Sequence, residues 1–307
     1  MKRLSKSMVV CFMAAVMMMT VGCQKKDIAP IIPDSPILPD GALPGLFSVS
    51  ETQQVHFSKG NLQYQASTNT WRFAEHQYDY VGTQTADERG NYGGNVSGSD
   101  NRNISSTYSG WIDLFGWGTG DNPTLSSTNN MDYGTFVDWG CNAISNGGNT
   151  ANRWRTLTIA EWEYLLYFRT DASSKLGMGN INGVGGLIIL PDSWTLPSEC
   201  SFTSEFTTYS PNDYPDWIHN SYTLAQWAQM EAAGAVFLPA AGFRNGAVVF
   251  FVGRYGGYWS STPNNDERYA WNNEVYAWNM YFDRDLIDNP YYGSRDYGFS
   301  VRPVLDN

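Results

Sequence analysis

The sequence predicts an α+β fold in which two short helices sit among antiparallel strands and long irregular loops. Three observations carry this. Apolar and polar residues alternate in short runs bounded by turn residues, the pattern of half-buried strands. Two segments carry a complete helix-start signature. The chain is 15% aromatic and holds 30 glycines with only 16% charged residues, which describes a loop-rich domain with aromatic anchors rather than a helical bundle. Two helices followed by a strand-rich C-terminal half is the α+β arrangement.

The chain opens with Lys2, Arg3 and Lys6, continues as an apolar run of 14 residues from Met8 to Val21, and reaches Gly22-Cys23. A basic stretch, an apolar stretch and a small-residue cleavage site predict a signal peptide over 1–22. A spanning helix needs roughly 20 apolar residues, so the run is too short to be one. Residues 23–45 contain KKDIAPIIPDSPILPDGALP, with prolines every few positions and no periodicity, and are expected to form an extended spacer. Residues 46–307 are expected to form a single domain, since neither a second linker nor a fixed-period repeat follows.

Within that domain, Phe47–Ser50, Gln54–Ser58, Asn61–Gln65 and Trp71–Ala74 alternate and predict short strands. From Gly82 to Asn152 the chain is Gly-, Asn-, Ser- and Thr-rich with scattered aromatics, including Trp111–Trp117, and predicts a long irregular region pinned by those rings. Thr158-Ile-Ala-Glu161 is a capping box opening a helix to Phe168. Thr223-Leu-Ala-Gln226 opens a second, closed by Gly234. Gly177–Gly183 has the look of a dinucleotide loop but follows a helix and lacks a βαβ unit, so a turn is expected there. Ala235–Pro239, Val248–Val252, Gly257–Ser261, Tyr276–Phe282 and Phe299–Val304 read as the closing strands.

Charge and cysteine usage exclude several functions. The net charge is −11, and residues 1–22 hold three basic groups and no acidic ones, so the processed chain would carry −14. That argues against nucleic acid as a partner. Cys11 leaves with the signal, which leaves Cys23, Cys141 and Cys200. A disulfide between Cys141 and Cys200 and a pair of buried thiols stand as alternatives, because an exported protein permits either. Neither C-x-x-C nor H-E-x-x-H nor a Cys/His zinc spacing occurs.

Several segments resemble known families. Thr20-Val21-Gly22-Cys23 resembles the lipobox of bacterial lipoproteins, which implies acylation of Cys23 with a diacylglyceryl group and an amide-linked chain such as palmitate; two or more chains anchor stably. A soluble secreted protein cut nearby is the alternative. Gln24 after the cysteine implies the outer membrane, with its periplasmic or surface face left open. Trp154-Arg-Thr-Leu-Thr-Ile-Ala-Glu-Trp-Glu-Tyr-Leu165 resembles a segment of formylglycine-generating, sulfatase-modifying proteins. Phe237–Arg244, Tyr258–Thr262 and Gly298–Val304 resemble lipoproteins of gut Bacteroidetes with a Fibrobacter-type major paralogous domain. The resemblance covers roughly 46–304 and implies a C-type-lectin-like fold whose terminal strands pair, so Phe47–Ser50 is expected beside Phe299–Val304. The tail is also similar to the variable proteins of diversity-generating retroelements, which implies ligand-contacting positions there.

Composition points the same way on its own. Residues 255–297 hold 8 of the 19 tyrosines, interleaved with Asn, Asp and Trp. Tyrosine buries a large rigid area at low entropy cost while small polar residues adapt their hydrogen bonds, which is paratope chemistry. The expected ligand-binding residues are Tyr269, Trp271, Asn272, Asn273, Tyr276, Trp278, Asn279, Tyr281, Tyr291 and Tyr292, taking a protein or glycan at the cell envelope. Packing of the same rings into the core is the competing reading, and Trp259 and Arg302 are expected to be structural. A structural subunit of a surface assembly is a further alternative.

Enzyme chemistry finds little footing. Aerobic formylglycine-generating proteins use a C-terminal cysteine pair, whereas this chain has Ser260 and Ser261 in the matching stretch, and serine supplies neither thiolate nor sulfur ligand. Of three histidines, His56, His76 and His219, none accompanies a G-x-S-x-G elbow. Paired carboxylates for glycan hydrolysis remain the generic enzyme alternative. No cofactor is expected. Calcium is the one metal weighed, because Pro263-Asn264 and Trp271-Asn272-Asn273 faintly resemble lectin calcium motifs, with Asp266, Glu267 and Glu274 as oxygen donors.

Overall fold

The structure, a computed structural model, describes residues 38–82, 99–204, 217, 219–264, 276–283 and 286–307. The signal peptide and Cys23 lie outside the described residues, as do Tyr269, Trp271, Asn272, Asn273, Asp266, Glu267 and Glu274. Leu38–Asn307 forms one compact unit. The last part of the expected spacer belongs to it: Leu43 is buried and its N–H donates to the Phe57 carbonyl.

The fold is α+β, with mostly antiparallel strands in small sheets and two α-helices. β1 (Phe47–Ser48) and β2 (Gln54–Phe57) open the chain, followed by the hairpin β3 (Leu62–Gln65) and β4 (Thr70–Phe73). Then come α1 (Ile159–Glu163), β5 (Leu176–Ile181), β6 (Val184–Ile189), β7 (Ser221–Tyr222) and α2 (Leu224–Ala232). The C-terminal third adds β8 (Val236–Pro239), β9 (Phe243–Asn245), β10 (Val248–Phe250), β11 (Tyr255–Pro263), β12 (Tyr276–Asp283), β13 (Ile287–Ser294) and β14 (Val304–Asp306).

Both helices begin as their sequences dictate. The Thr158 and Thr223 hydroxyls accept from the N–H groups of Glu161 and Gln226, whose side chains accept the cap N–H in return. α2 ends because Gly234 takes φ +99°, a left-handed position glycine adopts without a Cβ penalty. α1 is shorter than expected and passes into a π-helical turn over Tyr164–Phe168. Arg155 ties its start to the C-terminus, bonding Glu161 at 2.7 Å and Asp306 at 2.8 Å.

Three expectations are corrected. β14 pairs with β2, and β1 lies on the other side of β2, so the terminal strands share a sheet without β1 pairing with the 299–304 segment. Phe299 and Ser300 make only isolated bridges, to Phe115 and Tyr258. Gly177–Gly183 turns only at its end: residues 177–181 lie in β5 and pair with β6, and the turn is confined to Asn182-Gly183, whose φ values of +50° and +88° suit a two-residue hairpin. Its glycines serve close approach instead, since a Cβ at Gly179 would fall 2.3 Å from the Asn220 carbonyl oxygen.

Two large apolar clusters build the core. One joins β1 and β2 to α1, β5, β6, β8 and the inner side of β11 and β12, with Phe47, Phe57, Trp162, Tyr258 and Phe282 at its centre. The other packs β3 and β4 against the 111–117 segment, Trp139, Trp154, Trp259 and Phe299. The long loop region is thus pinned by buried rings, and by Asp113, whose carboxylate accepts from the Val81 N–H and the Asn101 amide. Among the described residues no helix is long and apolar enough to cross a membrane.

Candidate functional site

The aromatic-rich tail forms the antiparallel sheet β11-β12-β13, with β13 at its edge. β12 is buried on both faces, but at opposite ends. Ala277 and Asn279 are covered near its start, Met280 and Phe282 near its end, so Tyr276, Trp278, Tyr281 and Asp283 are left half-exposed. Between Asn279 and Tyr281 the partner strand carries one residue more, as Asn279 faces Tyr291 while Tyr281 faces Asp288. That irregularity places the successive rings of Tyr291 and Tyr292 side by side, 5.7 Å apart and within 16° of parallel.

From there a continuous run of ring contacts extends both ways. Tyr292 meets Tyr276 at 5.3 Å and its register partner Trp278 at 6.2 Å, both edge to face. Tyr291 meets Tyr281 at 5.1 Å, Tyr281 meets Tyr255 at 4.6 Å, and Tyr255 meets Phe243 at 5.5 Å. Phe243 in turn touches Phe250, Phe251 and Tyr297. Rings this close prefer tilted or offset geometry, which adds about 0.5–1.5 kcal/mol per pair beyond area burial. Most of them stay partly open to solvent, and Tyr291 is 38% exposed.

Glycines let the layer settle. A Cβ at Gly257 would lie 2.9 Å from the Phe299 ring and one at Gly293 would lie 2.5 Å from it, so Phe299 seats itself beneath β11 and β13 only because both lack a side chain. Phe251 holds φ +55°, a region costly for an aromatic residue, and presents a half-exposed ring to Phe243.

Two acidic groups flank Tyr281. The Tyr281 hydroxyl donates to Asp283 at 2.6 Å, and Asp288, the exposed register partner of Tyr281, lies across from it. Burial pushes the Tyr281 phenol well up, and the bond to Asp283 adds to that. Tyr255 is raised too, by burial foremost and then by Tyr281, Tyr291, Tyr297 and Asp283.

Of the ligand-contact residues expected from sequence, Tyr276, Trp278, Tyr281, Tyr291 and Tyr292 come together here. Asn279 does not belong on the exposed layer: it is fully buried among Trp259, Gly293 and Phe299, and neither end of its amide has a hydrogen-bond partner. Tyr255, Phe243, Phe250, Phe251 and Tyr297 were not anticipated. Their signal was present, because Asn245-Gly246 between apolar runs marks a hairpin, and two adjacent phenylalanines cannot share one buried face of a strand.

Other candidate sites resolve into structure. Trp259 is buried with its indole N–H on the Phe115 carbonyl, and Arg302 is buried against Gln77 and Asn61. The Ser260 hydroxyl donates to the Trp278 carbonyl. Asn264 is buried beside Pro263. His56 binds the Leu43 and Gly45 carbonyls, while His76 bonds Asp79 and stacks on Tyr78. Among the described residues no three His, Cys, Asp or Glu side chains converge as metal ligands would. Cys141 and Cys200 are both free thiols, so the disulfide alternative is not the one formed: Cys141 ends a turn capped by Asp138, whereas Cys200 packs against α2 and points to the Gln226 carbonyl.

A family model described as a domain of unknown function (DUF8237) matches residues 223–304, from the cap of α2 to the first residue of β14, and so spans the whole aromatic layer. No curated protein and no solved structure matches the chain.

Proposed function

We propose that this chain is a lipid-anchored protein of the bacterial outer membrane that binds a protein or glycan ligand and catalyses no reaction. The observation that carries the reading is the run of partly exposed rings from Trp278 through Tyr291 and Tyr281 to Phe243 on one small sheet. Contiguous partly exposed rings rimmed by polar groups are a common mark of an interaction surface. Aromatic anchors of this kind dominate binding energy at interfaces. Tyr269, Trp271, Asn272 and Asn273 extend the proposed contact set, the fold is C-type-lectin-like, and Cys23 carries the acyl chains.

Binding of the chain to a panel of glycans and envelope proteins, with and without calcium, tests this. A hit weakened by at least about 2 kcal/mol in Tyr291→Ala or Trp278→Ala, the range of a binding hot spot, supports the site. A hit indifferent to both substitutions places the ligand elsewhere. Labelling with palmitate, lost in Cys23→Ser, tests the anchor.

A further inference from the structure

Resting on that reading, we infer that the open ring surface of Tyr281 and Tyr291, with Asp283 and Asp288 at its edge, binds an arginine side chain of a basic protein partner. Charge complementarity is the argument. Residues 255–297 hold seven acidic side chains against three arginines and no lysine. Of those arginines, Arg268 and Arg284 lie outside the described residues, and Arg295 is turned inward: it is buried, its guanidinium lies 4.5 Å over the Trp117 ring, and its Nε donates to the Tyr276 carbonyl. Arg244, on the adjacent β9, is likewise buried, donating to the Gly246 carbonyl. Arg254, next to Tyr255, already has partners of its own. Among the described residues, the outer side of this ring layer presents carboxylates and ring faces.

The chemistry of Tyr281 sharpens this. Its hydroxyl is engaged by Asp283, so the group it offers a partner is the ring face, and donation to a carboxylate enriches that face in electrons. Tyr255 and Tyr291 pack against this ring at 4.6 and 5.1 Å, tilted by 56° and 32°, and Tyr291, 38% exposed, carries the ring surface outward. A guanidinium is flat, weakly hydrated and always charged; it can stack on a phenol face and still donate in its own plane to a carboxylate. Asp288, exposed and opposite Tyr281, is positioned to accept that bond. A compact ammonium is more strongly hydrated and gains less from stacking.

The test titrates the purified chain with an arginine-glycine repeat peptide and with its citrulline counterpart, which keeps length and flat shape but replaces the charged guanidinium by a neutral urea with fewer N–H donors and a carbonyl acceptor. The arginine peptide is expected to bind at least about tenfold more tightly, to lose about tenfold in Tyr281→Leu at unchanged net charge, and about threefold in Asp288→Asn, an exposed position that leaves the fold intact. Equal binding of the two peptides overturns the inference. So does salt-sensitive binding that persists in both variants, which would mark general attraction to an acidic surface. A neutral ligand whose binding depends on Tyr291 would overturn the arginine assignment alone and leave the binding surface standing.

Discussion

Gly293 sits on β13 opposite Ala277, directly above Phe299. Replacing it by alanine places a Cβ 2.5 Å from one ring carbon of Phe299, 3.0 Å from another, and 2.9 Å from the Asn279 amide nitrogen. Carbon atoms rest at about 3.5–4.0 Å, so something must yield by roughly 1 Å. The ring cannot retreat: it is 1% exposed and lies 4.5 Å from the Trp259 ring, with Tyr255, Phe243 and Tyr297 around it. Nor can the backbone, because Phe299 exchanges both of its hydrogen bonds with Phe115 at 3.0 Å. β13 must therefore shift away from β12. Overpacking of this kind costs about 1–3 kcal/mol, which for a domain of this size lowers Tm by roughly 4–8 °C at the middle of that range. The assay is thermal and urea unfolding of Gly293→Ala beside Gly134→Ala, where an added Cβ meets nothing nearer than 3.8 Å and φ is −71°. Phe299→Leu in the Gly293→Ala background should recover part of the loss, giving a coupling of at least about 0.5 kcal/mol. If Gly293→Ala is no worse than Gly134→Ala, or if the two effects simply add, the account of how Phe299 is seated is wrong.

Further outcomes follow from buried polar groups. Asn279→Leu removes an amide with no partner at either end and should raise stability by about 1–3 kcal/mol while leaving aromatic-layer binding intact; a destabilised variant would show that the amide is satisfied. Asp113 is pushed up to about 7 by burial, against the lowering effect of Asn101 and the Val81 N–H. A carboxyl whose folded pKa exceeds its unfolded value contributes stability that is full below about pH 4 and lost as pH rises through about 7. Urea midpoints should accordingly decline over that window, and Asp113→Asn should flatten the slope; an unchanged slope would assign it to other groups. Asp306, held low by hydrogen bonds from Arg155, works in the opposite sense, losing its contribution as pH falls below the ordinary carboxylate range. Because Cys141 and Cys200 are free, a reductant should leave Tm unchanged, and a fall of several degrees would reveal a disulfide.

What could be read along the chain was what neighbouring residues settle between themselves. The capping boxes Thr158–Glu161 and Thr223–Gln226 name their helix starts because cap and partner lie three residues apart, and Gly234 names an end for the same reason. Alternation located β2, β4 and β12, since the period of two is a property of the strand itself. The density of tyrosine over 255–297 was legible because composition belongs to the segment itself, although the contacts of Tyr281 with Tyr255 and Tyr291 are made across strands.

Other features depend on partners far away in sequence. Gly177, Gly179 and Gly185 mimic a turn in composition, yet they leave room for Asn220 and Trp217, which arrive 30 or more residues later. β13 carries Pro290 and two acidic or amide neighbours that suit a loop; it is a strand because β12 offers it an edge. Asn279 resembles its exposed neighbours in type and differs from them only because Phe299 and Trp259 close over its face. The sequence by itself determined the helix starts, the alternating strands and where aromatic side chains concentrate, all short-range consequences of backbone geometry and composition. Only the tertiary structure decided that β2 lies between β1 and β14, and which tyrosines face water, because burial is a property of whatever packs against a residue rather than of the residue.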